Sequence, residues 1–211
     1  MSSVHSVAEV VFSPRTKGDT MAPMSFGLPS RDDTAIRTER LLLRPLTFAD
    51  VPALFDAIDA SRQFLSRRLP WAESVRGHAD LRVFVDKCQR RNGEGEAHRG
   101  IFEPDGRLAG HMSIEEVVPA RHAAELGYWI REDRAGKGYA TEAARALLVW
   151  VFRNLELHRV TAYVDTDNPA SARVLEKCGF TREGVFRHRM QAGDDWRDQA
   201  VFGVLEGELK S

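Results

Sequence analysis

Residues 134–148 read RAGKGYATEAARALL. Gly136 and Gly138 bracket Lys137 and stand directly ahead of a run of strong helix formers. Glycine allows backbone turns that other residues avoid and lets a ligand approach closely. A helix start carries unpaired N–H groups and a partial positive charge of roughly half a unit. Together these make a cradle for an anion, phosphate above all. The same residues also suit a strand-to-helix turn with no ligand, and the stretch alone leaves the two readings level. Two phosphate patterns do not fit. A P-loop needs Ser or Thr after its lysine, and Gly138-Tyr139 follows Lys137. In the G-x-G-x-x-G fingerprint the last glycine is replaced by Thr141, and the next strand offers Val160 and Thr161 where an acid would meet a ribose.

The rest of the chain supplies a setting. TERLLLRPLT predicts a strand with Leu41 and Leu43 on one face, and TFADVPALFDAIDAS a helix with Thr47 as N-cap and Asp50 in the capping-box place. LSRRLPWAES reads as a loop or short turn, and HADLRVFVDKCQRRNG as a helix ended by Asn92-Gly93. AHRGIFEP and RLAGHMSIEEVV pair as a hairpin around Asp105-Gly106, and HAAELGYWI is a further strand. After the glycine loop and its helix come the strand HRVTAYVDT and a short helix NPASARVLEKCGF, closed by Gly179. Two terminal strands flank AGDD. The order β-α-α-β-β-β-α-β-α-β-β predicts a mixed α+β domain and disfavours a doubly wound nucleotide fold.

Composition narrows the function classes. Thirty Lys and Arg against thirty-one Asp and Glu leave a net charge of −1 and give no support to general nucleic-acid binding. No apolar run approaches the ~18–20 residues of a membrane span. Cys88 and Cys178 form no C-x-x-C pair, so neither a zinc motif nor a disulfide framework is expected, and a cytoplasmic setting is the simple reading. Residues 1–34, rich in Ser, Pro, Gly and Thr, read as a flexible extension ahead of a domain at 35–211.

ELGYWIREDRAGKGYATEA followed by NPASARVLEKCGFTREG resembles the GNAT superfamily of acetyl-CoA-dependent N-acetyltransferases. With TERLLLRPLTFAD, LPWAES and AGDDWRDQAVFGVL in order, residues 36–208 resemble its ribosomal-protein N-acetyltransferase (RimJ/RimL) branch. The resemblance implies a central, mostly antiparallel twisted sheet with a splayed parallel strand pair, flanked by helices. It implies acetyl transfer from acetyl-CoA to a primary amine, a protein N-terminus or a small molecule, directly in a ternary complex without metal. A homodimer is left open. A non-catalytic acyl-CoA-binding or regulatory module on the same fold is the alternative.

The resemblance also assigns residues. Trp129 and Ile130 border the pantetheine gap, with a main-chain N–H from residues 128–130 polarising the thioester. Arg134, Ala135, Gly136, Lys137, Gly138, Tyr139, Ala140 and Thr141 form the pyrophosphate loop. Gly138 and Ala140 match the family pattern, but Ala135 stands where Gln or Arg is usual. Asn168 bonds the pantetheine arm or orders its loop, and Ser171 protonates the departing thiolate; both also suit a plain helix cap. Glu125 is the candidate base, with His111 and His188 as alternates. Trp71 lies in the loop that covers the acceptor. Arg187, His188, Arg189 and Met190 stand near where the branch carries an acid, which either moves the base elsewhere or alters the substrate toward an acidic peptide or a carboxylated small amine.

Overall fold

Leu41 and Leu43 are buried while Leu42 between them is partly exposed, the alternation of a strand with one face on the core. In the computed structural model, which describes residues 35–192 and 195–209, that segment gives β2 (Leu42–Arg44), paired antiparallel with a two-residue β1 (Ile36–Arg37). The predicted extension at 1–34 and the tip of the AGDD turn lie outside the described residues.

Thr47 opens the first helical segment. Asp50 Oδ2 accepts from Thr47 N–H at 2.8 Å, and both Asp50 oxygens accept from the Arg44 guanidinium at 2.8 and 2.6 Å. A 3-10 turn at Phe48–Asp50 runs into α1 (Val51–Asp59). LSRRLPWAES reads from sequence as a loop or short turn. It contributes instead to two short helices, α2 (Arg62–Ser66) and α3 (Trp71–Ser74), because Phe64, Leu65, Leu69 and Ala72 are buried against the same cluster. Isolated helices of that length do not persist in water, so packing holds them. α4 (His78–Gly93) follows.

β3 (Ala97–Phe102) and β4 (Leu108–Val118) form the expected hairpin. Gly106 N–H donates to Glu103 O at 2.9 Å in its turn, with a φ of 84° that suits glycine. β5 (Ala123–Ile130), α5 (Tyr139–Asn154), β6 (Arg159–Asp165), α6 (Pro169–Cys178), β7 (Thr181–Ala192) and β8 (Asp195–Leu205) complete the chain. The sheet has eight strands in the order β1-β2-β3-β4-β5-β6-β8-β7. Its pairs are antiparallel except β5 with β6, which α5 connects. This is the mixed α+β domain that the element order predicts, with the parallel pair that the family resemblance implies.

Side chains alternate across β5, so its two faces serve different cores. Leu126, Tyr128 and Ile130 join a cluster with Ala143, Leu147 and Val151 of α5 and Leu175 of α6. Trp129 joins the other, with α1, α2, α3 and α4. Among the described residues no helix is long and apolar enough to cross a membrane.

Candidate active site

The parallel pair is short. Ala123, Ala124 and Glu125 of β5 face Arg159, Val160 and Thr161 of β6, and there the pairing stops. Residues 126–130 of β5 stay on β4, while β6 continues on β8. The two strands therefore splay into a wedge with Glu125 at its vertex. Arg131 N–H donates to Ala109 O at 2.9 Å. By the alternation of an antiparallel ladder, the main-chain groups of Trp129 then face β4, and those of Leu126, Tyr128 and Ile130 face the wedge.

The open end of the wedge leads to a cleft of about 150 Å³, lined by Gly136, Gly138, Ala140 and Thr141 with Arg173 and Lys177 of α6. Gly136 and Gly138 have φ of 76° and 83°, so each is a position for glycine. The first main-chain bond closing α5 runs from Glu142 N–H to Gly138 O at 3.0 Å. The amides of residues 138–141 are thus the unpaired donors of a helix start. Arg40 braces the loop from behind. Its guanidinium donates to Lys137 O at 3.0 Å and to Glu142 Oε2 at 2.7 Å. A trans peptide points its N–H opposite its C=O, so this bond turns the Gly138 amide away from Arg40. Free amides, a helix N-terminus and two cations on one cleft make an anion-binding face.

At the vertex, the Glu125 side chain is 18% exposed and lies 3.7 Å from the Arg189 guanidinium. Its carboxyl is pushed up to about 7, chiefly because burial disfavours the charged form; Arg189 pulls it back, and Glu115 and Glu116 push it further up. Arg189 stacks on Tyr163, 3.4 Å from the ring centroid, and donates to Gln199 Oε1 at 2.9 Å. Gln199 donates in turn to Asp165 Oδ1 at 3.1 Å, and Asp165 Oδ2 accepts from Arg68 and Arg197 at 3.2 and 3.0 Å. This network ties β6, β7 and β8 to the segment between α2 and α3. Trp71 of α3 meets Trp129 edge-on, 6.3 Å between centroids, on the Glu125 face of β5. On the other face Tyr128 Oη and Ser171 Oγ share a hydrogen bond of 2.7 Å, both fully buried.

Residues 40–181 match the family model of the acetyltransferase (GNAT) domain. The chain belongs to the GNAT acetyltransferase family. The probable N-acetyltransferase YjcK of Bacillus subtilis is 38% identical over 81% of this chain and 96% of its own length. The [ribosomal protein uS5]-alanine N-acetyltransferase of Escherichia coli is 30% identical over 79% and 88%. Among solved structures, the RimL ribosomal L7/L12 α-N-protein acetyltransferase in complex with coenzyme A aligns with a TM-score of 0.78 at 25% identity, covering 82% of this chain and 98% of that one.

In this GNAT domain the residues expected at the site divide by position. Ile130, Arg134, Ala135, Gly136, Gly138, Tyr139, Ala140 and Thr141 line the cleft. Arg134 lines it with its guanidinium already bound to Glu103 and Asp133, at 2.7 and 2.8 Å. Lys137 meets the loop brace through its carbonyl and is not among the lining residues. Trp129 is buried on the far face of β5. Asn168 Oδ1 caps α6, accepting from Ser171 N–H at 3.2 Å, while the Ser171 hydroxyl turns to Tyr128. His188 is exposed, with a φ of 50° and its N–H on Asp198 Oδ1 at 2.9 Å. His111 lies fully buried among Phe84 and His98, away from solvent, and burial pulls its imidazole well below the ordinary range.

Sequence reasoning passed over the Tyr128 hydroxyl, the Arg173 and Lys177 pair and the pairing of Arg189 with Glu125. Arg173 and Lys177 were within reach, since residues four apart on a helix share a face. The other two depend on contacts across 43 and 64 residues of chain, for which spacing carries no signal.

Proposed function

We propose that this GNAT domain moves an acetyl group from acetyl-CoA to a primary amine by direct transfer in a ternary complex. The observation that carries the reading is the wedge: a carboxyl near pKa 7 at its closed end and an amide-lined, cation-flanked cleft at its open end. The cleft fits the diphosphate of the coenzyme, and the wedge leads its thioester arm toward Glu125. An ammonium has no lone pair, so the acceptor first loses a proton to Glu125, directly or through a water. The neutral nitrogen then attacks the thioester carbonyl. Main-chain N–H groups of β5 that face the wedge donate to the developing oxyanion. As the new C–N bond forms and the C–S bond breaks, the nitrogen gives its second proton to water, the thiolate takes a proton from the Tyr128–Ser171 hydroxyl pair, and water returns a proton to that pair.

Trp71 and the Arg68, Arg189 and Arg197 network border the Glu125 side, where the acceptor enters. The basic groups favour an acceptor with a carboxylate near its amine, an acidic N-terminal peptide or a carboxylated small amine. The buried free thiols Cys88 and Cys178 fit a reducing, cytoplasmic setting. The test is thiol release from acetyl-CoA with a panel of N-terminal peptides and small amines, acidic and basic. Turnover is expected, fastest with acidic acceptors. Thermal stabilisation by acetyl-CoA with no turnover across the panel would replace the enzyme by a coenzyme-binding module.

A further inference from the structure

We propose that Cys88, His98 and His111 bind one zinc ion between α4 and the β3–β4 hairpin. The three residues come from three elements, and one ligand atom of each lies within 4.8 Å of the others. All three are buried, with His111 at 0% exposure. Neither ring nitrogen of His111 has a hydrogen-bond partner among the described residues. Buried polar groups are ordinarily satisfied, so a fully enclosed imidazole with two open nitrogens calls for a ligand. Its ring contacts with Phe84 and His98 leave both nitrogens without one.

His98 adds an orientation. Its Nε2 meets Glu96 Oε2 at 2.9 Å, and Nδ1 has no hydrogen-bond partner among the described residues. A carboxylate on one imidazole nitrogen holds the proton there and leaves the lone pair on the other, the arrangement that supports metal-ligating histidines. Glu115 Oε1 stands 3.9 Å from Nδ1, too far for a hydrogen bond and close enough to offset a cation. The Arg99 guanidinium, held by Asn92 Oδ1 at 3.1 Å, opposes one. Arg91, paired with Glu96 at 3.1 Å, opposes one too, so the two carboxylates balance the two guanidiniums and the thiolate that Cys88 becomes on binding tips the site negative.

The donor set chooses the metal. Two imidazoles and a thiolate suit zinc and not the oxygen-seeking magnesium or calcium. Tetrahedral zinc bond lengths put ligand atoms about 3.3–3.6 Å apart, so the side chains draw in by about 1 Å. The site would pin α4 to the sheet on the face that carries Trp129. Sequence spacing could not reveal it, because its ligands are ten and thirteen residues apart on a helix and two strands.

The full-length protein, stripped with a chelator, is titrated with Co²⁺ and then Zn²⁺. One cobalt per chain is expected, with a near-ultraviolet thiolate-to-cobalt band and tetrahedral visible bands that zinc abolishes. Zinc alone should raise the melting temperature. Cys88→Ser should lose the thiolate band, and His111→Gln should weaken uptake by about 100-fold or more. Cys178→Ser should keep both. Folded wild-type protein that takes up no stoichiometric cobalt, or a band that survives Cys88→Ser, would overturn the proposal. The wild-type titration decides even where a variant fails to fold.

Discussion

Glu125 holds its carboxyl at the wedge vertex, mostly enclosed, and its proton affinity has consequences for both stability and rate. Its ordinary value is 4.5 and its folded value about 7. Between those two pH values the folded chain keeps a proton that the unfolded chain has released. The stability this confers is full below 4.5 and is lost as pH rises to 7. Glu125→Gln removes the loss, so urea denaturation at pH 8 should show the variant about 2–3 kcal/mol more stable than wild type, with the difference gone at pH 4. Its turnover should fall by about 100-fold or more, and the acid limb of kcat/KM near pH 7 should disappear. A limb that persists in Glu125→Gln would move the base to another group. On the opposite face, Ser171→Ala keeps the N–H that Asn168 caps and removes only the hydroxyl bound to Tyr128. Circular dichroism should stay unchanged while kcat falls about tenfold, and Tyr128→Phe should do the same, the two losses combining less than additively because the hydroxyls act as a pair.

The glycine loop, its helix and the β1–β2 turn work as one element. Gly138 sits at φ 83° with the Arg40 Nη2 3.3 Å from where a Cβ would stand. Gly138→Asp therefore strains the backbone, presses on the brace and sets a carboxylate against a phosphate. Calorimetry should show acetyl-CoA binding weakened at least about tenfold, some 1.4 kcal/mol; unchanged affinity would remove the cradle from the mechanism. Glu142 fastens the other side, accepting from Thr38 Oγ1 at 2.5 Å, Arg40 N–H at 2.9 Å and Arg40 Nε at 2.7 Å. Arg40 is 44% exposed, so solvent screens the pair. Glu142→Ala should cost only about 1 kcal/mol, read as a small fall in melting temperature, and should raise the KM for acetyl-CoA by loosening the loop. The elements that sequence missed share a cause. β1 has two residues, α2 five and α3 four, each too short for its own periodicity to speak. Long elements such as α5 and the β3–β4 hairpin were legible because their patterns repeat over several turns or pairs.

At the scale of the molecule, two apolar clusters share one sheet, with Tyr128 and Trp129 facing opposite ways from adjacent positions. We propose that residues 35–209 unfold as a single unit for that reason. Leu147 and Leu54 are both 0% exposed and belong to different clusters. Leu147→Ala and Leu54→Ala should each cost about 2–5 kcal/mol. Each should lower one common transition, seen alike by tryptophan fluorescence and far-ultraviolet circular dichroism. Two separated transitions would divide the chain along the sheet.

Local sterics and hydrogen bonding act over a few residues, and sequence alone determined what depends on them: the glycine turn before α5, the Asn168 cap, the Gly179 stop at φ 104° and the Asp105-Gly106 hairpin. Electrostatics and ligand geometry depend on which side chains meet, whatever their separation along the chain. Only the tertiary structure therefore decided the proton affinity of Glu125, the Tyr128–Ser171 pair and the meeting of Cys88, His98 and His111.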